Sequence, residues 1–369
     1  MTNLFDYIIW RGDLSFKHSK LNKIDCLLFS QIIMLDFDDI IPHYGSDNHI
    51  RLVDAREKYN EKHGKDKKIG LIIPLTVVEA FYEMSFHDRY KHIQLSDYIN
   101  FIDEETHCQF CGLTVTINEH MRIIVFSGTD DTIAGWKENF SMVYKDYVEA
   151  HLKAVEYVET IIQKYGGKFI LCGHSKGGHL AMYSALKIND NAFDAVIKAF
   201  NFDGQGIDEK KDIYNKERLE KITAYLPSGA VIGRLFDHPE KQRLVHSECI
   251  TLYQHDVFSW EIMGNNFVYE KQFLKDCDEI DKQIKKVLSE MDFESRKKFV
   301  ETLGQVLDAT GAKTLSDLST RKMALLSSYF KVDKNNRKYI SEPIKKLFKN
   351  KALQSYFLKT LKESKKYKN

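Results

Sequence analysis

Phe169-Ile170-Leu171-Cys172-Gly173-His174-Ser175-Lys176-Gly177-Gly178-His179-Leu180 decides the fold: an apolar run stops at a glycine-flanked serine, and residues of helical composition follow at once. A strand before and a helix after is the context that a nucleophile elbow requires. A serine on such a turn sits in a strained backbone. Gly173 and Gly177 leave room for it against neighbouring strands, and Oγ projects clear of the sheet. The N-terminus of the following helix favours negative charge developing beside the serine. A phosphate-binding loop would need the lysine after its second glycine, whereas Lys176 precedes Gly177, so that reading is set aside. The remaining alternative is a glycine-rich turn with an inert serine.

Outward from the elbow, helical and strand patterns alternate. Residues 141–165 read as one long amphipathic helix, with Val148, Leu152, Val155, Ile161 and Ile162 on one side and Gly166-Gly167 as its cap. Residues 110–117 alternate as a strand does, and 122–126 are a short continuous apolar run. Beyond the serine, 177–188 read as helix and 196–202, 222–226 and 248–253 as strands. That alternation predicts an α/β protein with a mostly parallel sheet and helices on both faces, and the elbow within it points to the α/β-hydrolase type. Nearer the start, 24–41 read as a helix burying Leu27, Leu28, Ile32 and Leu35, and 71–85 as a second buried piece with Pro74 near its beginning.

Past Trp260 the pattern becomes helical throughout: 267–291, 293–307 and 316–330 are charge-rich, with no strand signal. We therefore expect a catalytic domain over 1–262 and a helical C-terminal segment over 263–369, acting as a cap or an interaction module. Residues 331–369 are lysine-rich, punctuated by Ile344, Leu347, Leu353, Phe357 and Leu361 at helical spacing. The simpler reading is a solvated helix with that apolar face docked. The sharper one is peripheral contact with an anionic membrane, or with a protein partner.

Length and charge bound the rest. A chain of 369 residues exceeds one ordinary core, which fits one domain with an appendage. With 54 basic against 53 acidic residues it has no global field to attract nucleic acid. Six scattered cysteines, several inside apolar runs, suit reduced buried thiols and a cytoplasmic setting. Arg11 and Asp13 interrupt any secretion signal at the start. His107 with Cys108 and Cys111 resembles half a metal site, but no second cysteine pair stands at finger spacing, so no metal is expected.

A nucleophilic serine needs a base, an orienting acid and oxyanion donors. His255, in Tyr253-Gln254-His255-Asp256-Val257-Phe258-Ser259-Trp260, follows the last predicted strand, the place of the base in this chain order. His174 is expected to pack beside the serine and His179 to fall inside the elbow's helix, while His238 and His246 come from loops. The acid is open between Asp203, at the end of 196–202, and Asp237; Asp203 is preferred, with an ordinary turn residue as the alternative. Asp256 is too close to His255 in sequence to reach its Nδ1. Oxyanion donors are expected from the backbone N–H of Lys176 and from Thr129, in Phe126-Ser127-Gly128-Thr129-Asp130-Asp131.

Taken together, these segments resemble the class 3, fungal-lipase-like α/β-hydrolases, in particular a bacterial branch that is a domain of unknown function. Tyr7-Ile8-Ile9-Trp10-Arg11-Gly12-Asp13-Leu14-Ser15-Phe16 is similar to its N-terminal signature, and Val125 to Asp131 with Gly135-Trp136-Lys137-Glu138 to its oxyanion segment. The elbow and the histidine segment complete the resemblance, which spans about residues 1–310. It implies Ser175 as nucleophile, His255 as base, Thr129 and Lys176 as oxyanion donors, and a small-molecule or lipid carboxylic ester as substrate, with no metal or organic cofactor. Arginine is usual where Ser127 stands, proline where Gln205 stands and aspartate near Ser228. The last departure keeps open an alternative: a catalytically weak or inactive scaffold or binding protein on the same fold.

Overall fold

The computed structural model describes residues 1–64, 74–207 and 215–366. Helices α1 (Leu4–Arg11) and α2 (Lys23–Ile32) each begin at an asparagine, Asn3 or Asn22, whose side chain accepts from the first turn while an aspartate three residues on closes a capping box. There follow β1 (Ile50–Arg51), α3 (Leu52–His63), α4 (Leu75–Phe86), β2 (Gln94–Asp103), β3 (Cys108–Asn118), β4 (Met121–Phe126), α5 (Ile133–Ser141) and α6 (Glu149–Tyr165). Next come β5 (Lys168–His174), α7 (Lys176–Lys187), α8 (Asp190–Ala195), β6 (Val196–Phe202), α9 (Lys216–Glu220), β7 (Ile222–Pro227) and β8 (Lys241–Val245). After the short strands β9 (Ile262–Met263), β10 (Asn266–Phe267) and β11 (Tyr269–Glu270), the chain is helical: α10 (Lys275–Ser289), α11 (Phe293–Asp308), α12 (Leu315–Thr320), α13 (Lys322–Lys331), α14 (Lys334–Phe348) and α15 (Lys351–Lys366).

Among the described residues, nine strands form one sheet in the order β1-β2-β3-β4-β5-β6-β7-β8-β11. Its centre, β4 through β8, is parallel. Strands β1 to β3 add an antiparallel edge beside β4, and β11 adds another beside β8. One face is covered by α1 to α4 in a cluster that includes Tyr7, Phe29, Phe81 and Trp260. The other is covered by α6, α7 and α8 around Tyr157, Phe169 and Leu180. Strands with both faces covered need no alternation, which is why β5 and β7 read as unbroken apolar runs. The fold is α/β, as the alternation of patterns predicts.

Several boundaries differ from expectation, each for a local physical reason. The helix over 24–41 ends at Ile32; beyond it, Asp36 Oδ1 accepts from the Asp38 backbone N–H at 3.1 Å and Asp39 lies at φ 60°, a side-chain-stabilised turn that competes with helix. In the second buried piece, 71–73 lie outside the described residues and the helix starts at Leu75 with Pro74 as its N-cap. The helix over 141–165 is two helices, because α5 stops at Ser141 and α6 starts after Val148. Residues 248–253 are not a strand: they lead into a 3-10 turn, Leu252–His255, and the strand beside β7 is Lys241–Val245. Three two-residue strands interrupt the stretch after Trp260, where no strand was expected. All six cysteines are buried and unbridged. Among the described residues, no helix is long and apolar enough to cross a membrane.

Candidate active site

Strand β5 ends at His174 and α7 begins at Lys176, so Ser175 alone makes the turn, at φ 56° and ψ −129°. A non-glycine residue there is strained, and surrounding contacts must hold it. They do so through close backbone packing. A Cβ on Gly177 would stand 2.1 Å from the Phe126 carbonyl oxygen, and one on Gly173 would stand 2.2 Å from the Gly177 carbonyl carbon. Neither neighbour is a flexible side-chain end. Gly177→Ala is therefore expected to cost about 3 kcal/mol, read as a lower urea midpoint with loss of soluble protein on mild heating. An unchanged midpoint would contradict this packing account.

The preferred candidate acid follows the next strand. β6 ends at Phe202, and Asp203 turns away at φ 48°, its N–H donating to the Tyr225 carbonyl oxygen at 2.9 Å. Asn201 provides the turn's local support: its Oδ1 accepts from the Gly204 N–H at 2.8 Å. A Cβ on Gly204 would lie 2.2 Å from the Ser175 carbonyl oxygen, so the glycine lets this turn press against the elbow. His179 ties the far side of the loop to α7, donating from Nδ1 to the Gln205 carbonyl oxygen at 3.0 Å. Its Nε2 meets His151 Nε2 at 2.8 Å. Burial lowers both imidazoles, His179 to about 4, so the pair is neutral and structural.

Asp203 Oδ2 lies 2.6 Å from His255 Nδ1. The carboxylate side chain is 1% exposed and the imidazole 22%. Burial raises the Asp203 carboxyl above its ordinary value, and the contact with His255 works against that rise. His255 sits at the end of the 3-10 turn Leu252–His255, pinned by Trp260, whose fully buried indole donates to the Gln254 carbonyl oxygen at 2.8 Å. His174 completes the fit: its Nε2 donates to the His255 carbonyl oxygen at 3.0 Å, and the two rings stand 4.5 Å apart between centroids. Burial, then the neighbouring His255, holds the His174 imidazole far below its usual value.

The other candidate acids go elsewhere. Asp237 is exposed and pairs with Lys285 at 3.0 Å, so it is not the partner of His255. Asp256 caps the next turn, accepting from the Phe258 N–H at 3.0 Å. Ser228 lies buried one strand beyond Asp203, its N–H bonded to the Val245 carbonyl oxygen. Of the remaining histidines, His238 contacts Glu240 at 2.7 Å and His246 contacts Glu270 at 2.6 Å. The N-terminal signature is anchored in the core by Tyr7 and Ile8, while Ile9 and Trp10 are exposed; the Tyr7 hydroxyl donates to Asp25 at 3.0 Å, and Asp25 also forms a buried ion pair with Arg89.

At the end of β4, a Cβ on Gly128 would be 3.5 Å from the Ser175 Cβ, which puts Gly128-Thr129 against the elbow. The Thr129 hydroxyl oxygen accepts from Asn139 Nδ2 at 2.5 Å, leaving its own hydrogen free to be donated. The Lys176 backbone N–H is in the first turn of α7 and has no intrahelical partner. Both expected donors therefore border Ser175.

Sequence reasoning gave Lys176 only its backbone, yet its side chain organises the site. Its ammonium is 1% exposed and contacts the Glu138 carboxylate, the Gln109 carbonyl oxygen and, at 3.1 Å, Gln109 Oε1. Glu138 also accepts from the Gln109 N–H at 3.2 Å and the Ala150 N–H at 3.1 Å, while Gln109 Nε2 reaches the Gly128 carbonyl oxygen at 3.4 Å. One buried ion pair thus joins α7, β3, α5, the start of α6 and the Gly128-Thr129 turn. The C-terminal helices hold the same region from outside. Leu315 N–H donates to the Asp131 carbonyl oxygen at 2.8 Å, and Glu363 of α15 accepts from Thr251 Oγ1 and the Ile250 N–H, just ahead of the His255 turn.

Residues 84–305, more than half of the chain and including Thr129, Ser175, Lys176, Asp203 and His255, match the family model described as Mbeg1-like. The chain belongs to the Mbeg1-like family. This lipase-like family accords with the resemblance drawn from the motifs. The Mbeg1-like chain is also similar to the solved lipase II from Rhizopus niveus, at 13% identity and a TM-score of 0.30, over 45% of this chain and 72% of that one. A deletion mutant of the Rhizomucor miehei lipase propeptide complex matches at 12% identity and a TM-score of 0.33, over 67% of this chain and 76% of that one. No curated protein sequence matches this chain.

Proposed function

We propose that the protein is a serine hydrolase that cleaves a carboxylic ester, lipid or small molecule, through an acyl-enzyme on Ser175. The observation that carries this reading is the 2.6 Å contact between His255 Nδ1 and the buried Asp203 carboxylate, beside a strained serine on a strand-to-helix turn. In this scheme Asp203 accepts from Nδ1–H, which leaves Nε2 of His255 free to act as base. Ser175 Oγ attacks the ester carbonyl carbon while its proton passes to Nε2. The carbonyl oxygen, now an anion, takes hydrogen bonds from the Lys176 N–H and from Thr129. Collapse breaks the bond to the alkoxy group, which leaves as the alcohol with the proton from His255. Water, deprotonated by the same imidazole, then frees the acid and restores Ser175. No step calls for a metal or an organic cofactor.

The bond to Asp203 also bears on the inactive-scaffold alternative, whose ground was the serine at position 228. A carboxylate at the end of β6, in contact with His255, supports the enzyme over the scaffold. A fluorophosphonate probe tests the proposal directly, since it forms a covalent adduct only with an activated serine. Wild type is expected to be labelled in proportion to active protein and Ser175→Ala not at all. Folded wild type that stays unlabelled, or a Ser175→Ala variant that still labels, would overturn it.

A further inference from the structure

The near-neutral net charge conceals a strong segregation. Residues 321–369 carry 15 lysines and arginines against 3 acidic residues, leaving 39 basic against 50 acidic in the preceding 320. The basic end also shows a group of large apolar side chains to solvent, among them Met323, Leu326, Ile344, Phe357, Leu358 and Leu361. Of the residues expected on a docked face, Leu353 packs inward beside Ala352 and Tyr356, whereas Ile344, Phe357 and Leu361 are exposed; on α14 the buried residue is Ile340. Helix α15 consequently has two apolar sides. Its inner side, with Tyr356, packs on Cys277 and Ile280 of α10.

The outer side belongs to a strip that crosses three helices. Met323 and Leu326 of α13 share with Ile344 of α14 the lining of an apolar groove of about 650 Å3, at whose edges Lys322 and Lys345 stand. Phe348 lies one helical turn beyond Ile344, and its ring meets that of Phe357 edge-on at 5.9 Å. Leu361 is one turn further along α15, next to Leu358, which is 59% exposed. At 100° per residue, Lys351 and Lys362 fall along the border of the Phe357, Leu358, Leu361 stripe, and both are exposed.

We infer that helices α13 to α15 form a docking surface for a bilayer that contains anionic lipid. Large apolar side chains projecting from a run of helices, with lysines along their border, match the division of an interfacial helix between acyl chains and headgroups. A protein partner is the poorer fit, because lysine is depleted where protein interfaces are buried. Each lysine near an anionic surface adds to the attraction, and that part falls away with salt. The inference concerns a surface away from Ser175 and stands or falls independently of the ester-cleaving proposal.

Flotation of the full chain with vesicles tests it. With vesicles of phosphatidylcholine mixed with anionic phosphatidylglycerol, whose surface potential is negative, the protein is expected to float at low salt. It should stay at the bottom with phosphatidylcholine alone. Two full-length variants separate the contributions. Lys322→Glu with Lys345→Glu and Lys351→Glu should lower partitioning about a hundredfold, and Phe357→Ser with Leu358→Ser and Leu361→Ser should lower it at least tenfold. Both should keep the wild-type circular dichroism spectrum and, if Ser175 is labelled in wild type, its labelling. Absence of flotation on anionic vesicles would overturn the inference, as would equal flotation on neutral ones. So would a dimer in solution, if the serine substitutions dissociated it and vesicle binding were absent.

Discussion

Replacing Asp203 by asparagine is expected to lower kcat on a short-chain p-nitrophenyl ester by about 10^4-fold, with KM nearly unchanged. The amide has almost the same volume, so the turn at Asp203 and its contact with the elbow should survive. What changes is the proton on His255. A carboxylate 2.6 Å from Nδ1 can only accept, which places the proton on Nδ1 and leaves the lone pair on Nε2. An asparagine can offer its NH2 instead and stabilise the opposite tautomer, which has no lone pair for Ser175. The carboxylate also stabilises the imidazolium formed during attack, and the amide does not. Asp237→Asn, which disturbs only an exposed pair with Lys285, is the control and should keep wild-type turnover. Near-normal kcat in Asp203→Asn, or a collapse in Asp237→Asn, would show that the acid has been misassigned.

That pair of variants also marks where the sequence was informative. The elbow is a local signal, since strand, turn and helix are contiguous and the glycines are dictated by backbone packing against β4. The histidine segment is nearly as local, because Trp260 and the caps of two successive 3-10 turns lie within six residues of His255. The acid is not. Whether Asp203 or Asp237 meets His255 depends on which loop turns over the sheet edge, set by Asn201, Gly204 and His179 through contacts that no short window contains. The break between α5 and α6 has the same origin, because Glu138 takes up the Ala150 N–H at the start of α6. In the tail the spacing was informative only in part, since Leu353 docks as expected while Phe357 and Leu361 do not. Apolar residues at helical spacing were read as one docked face, but α14 and α15 carry apolar residues on two sides, and spacing alone does not say which side the rest of the protein covers.

The second large effect concerns stability and comes from the residue after the nucleophile. Glu138→Gln is expected to destabilise the fold by about 3–5 kcal/mol, seen as a lower urea midpoint at pH 7. Lys176 and Glu138 are 1% and 2% exposed, and together they account for the ammonium and both carboxylate oxygens in contacts with Gln109 and Ala150. The glutamine keeps the shape and can still accept from a backbone N–H, so packing loss is small. The loss comes from a lysine ammonium left buried without a counter-charge. If that is the cause, removing the charge as well should recover stability: Glu138→Gln with Lys176→Met is expected to be more stable than Glu138→Gln alone, by about 1 kcal/mol or more. Lost hydrogen bonds alone would instead make the double variant the weaker, since Lys176→Met removes two further contacts to Gln109. The double variant should nevertheless turn over ester more slowly than wild type, because Gln109 then has less to hold the Gly128-Thr129 turn in place. A stable but slow double variant would identify the pair as a positioning device for the oxyanion donors. One as fast as wild type would confine its role to the fold.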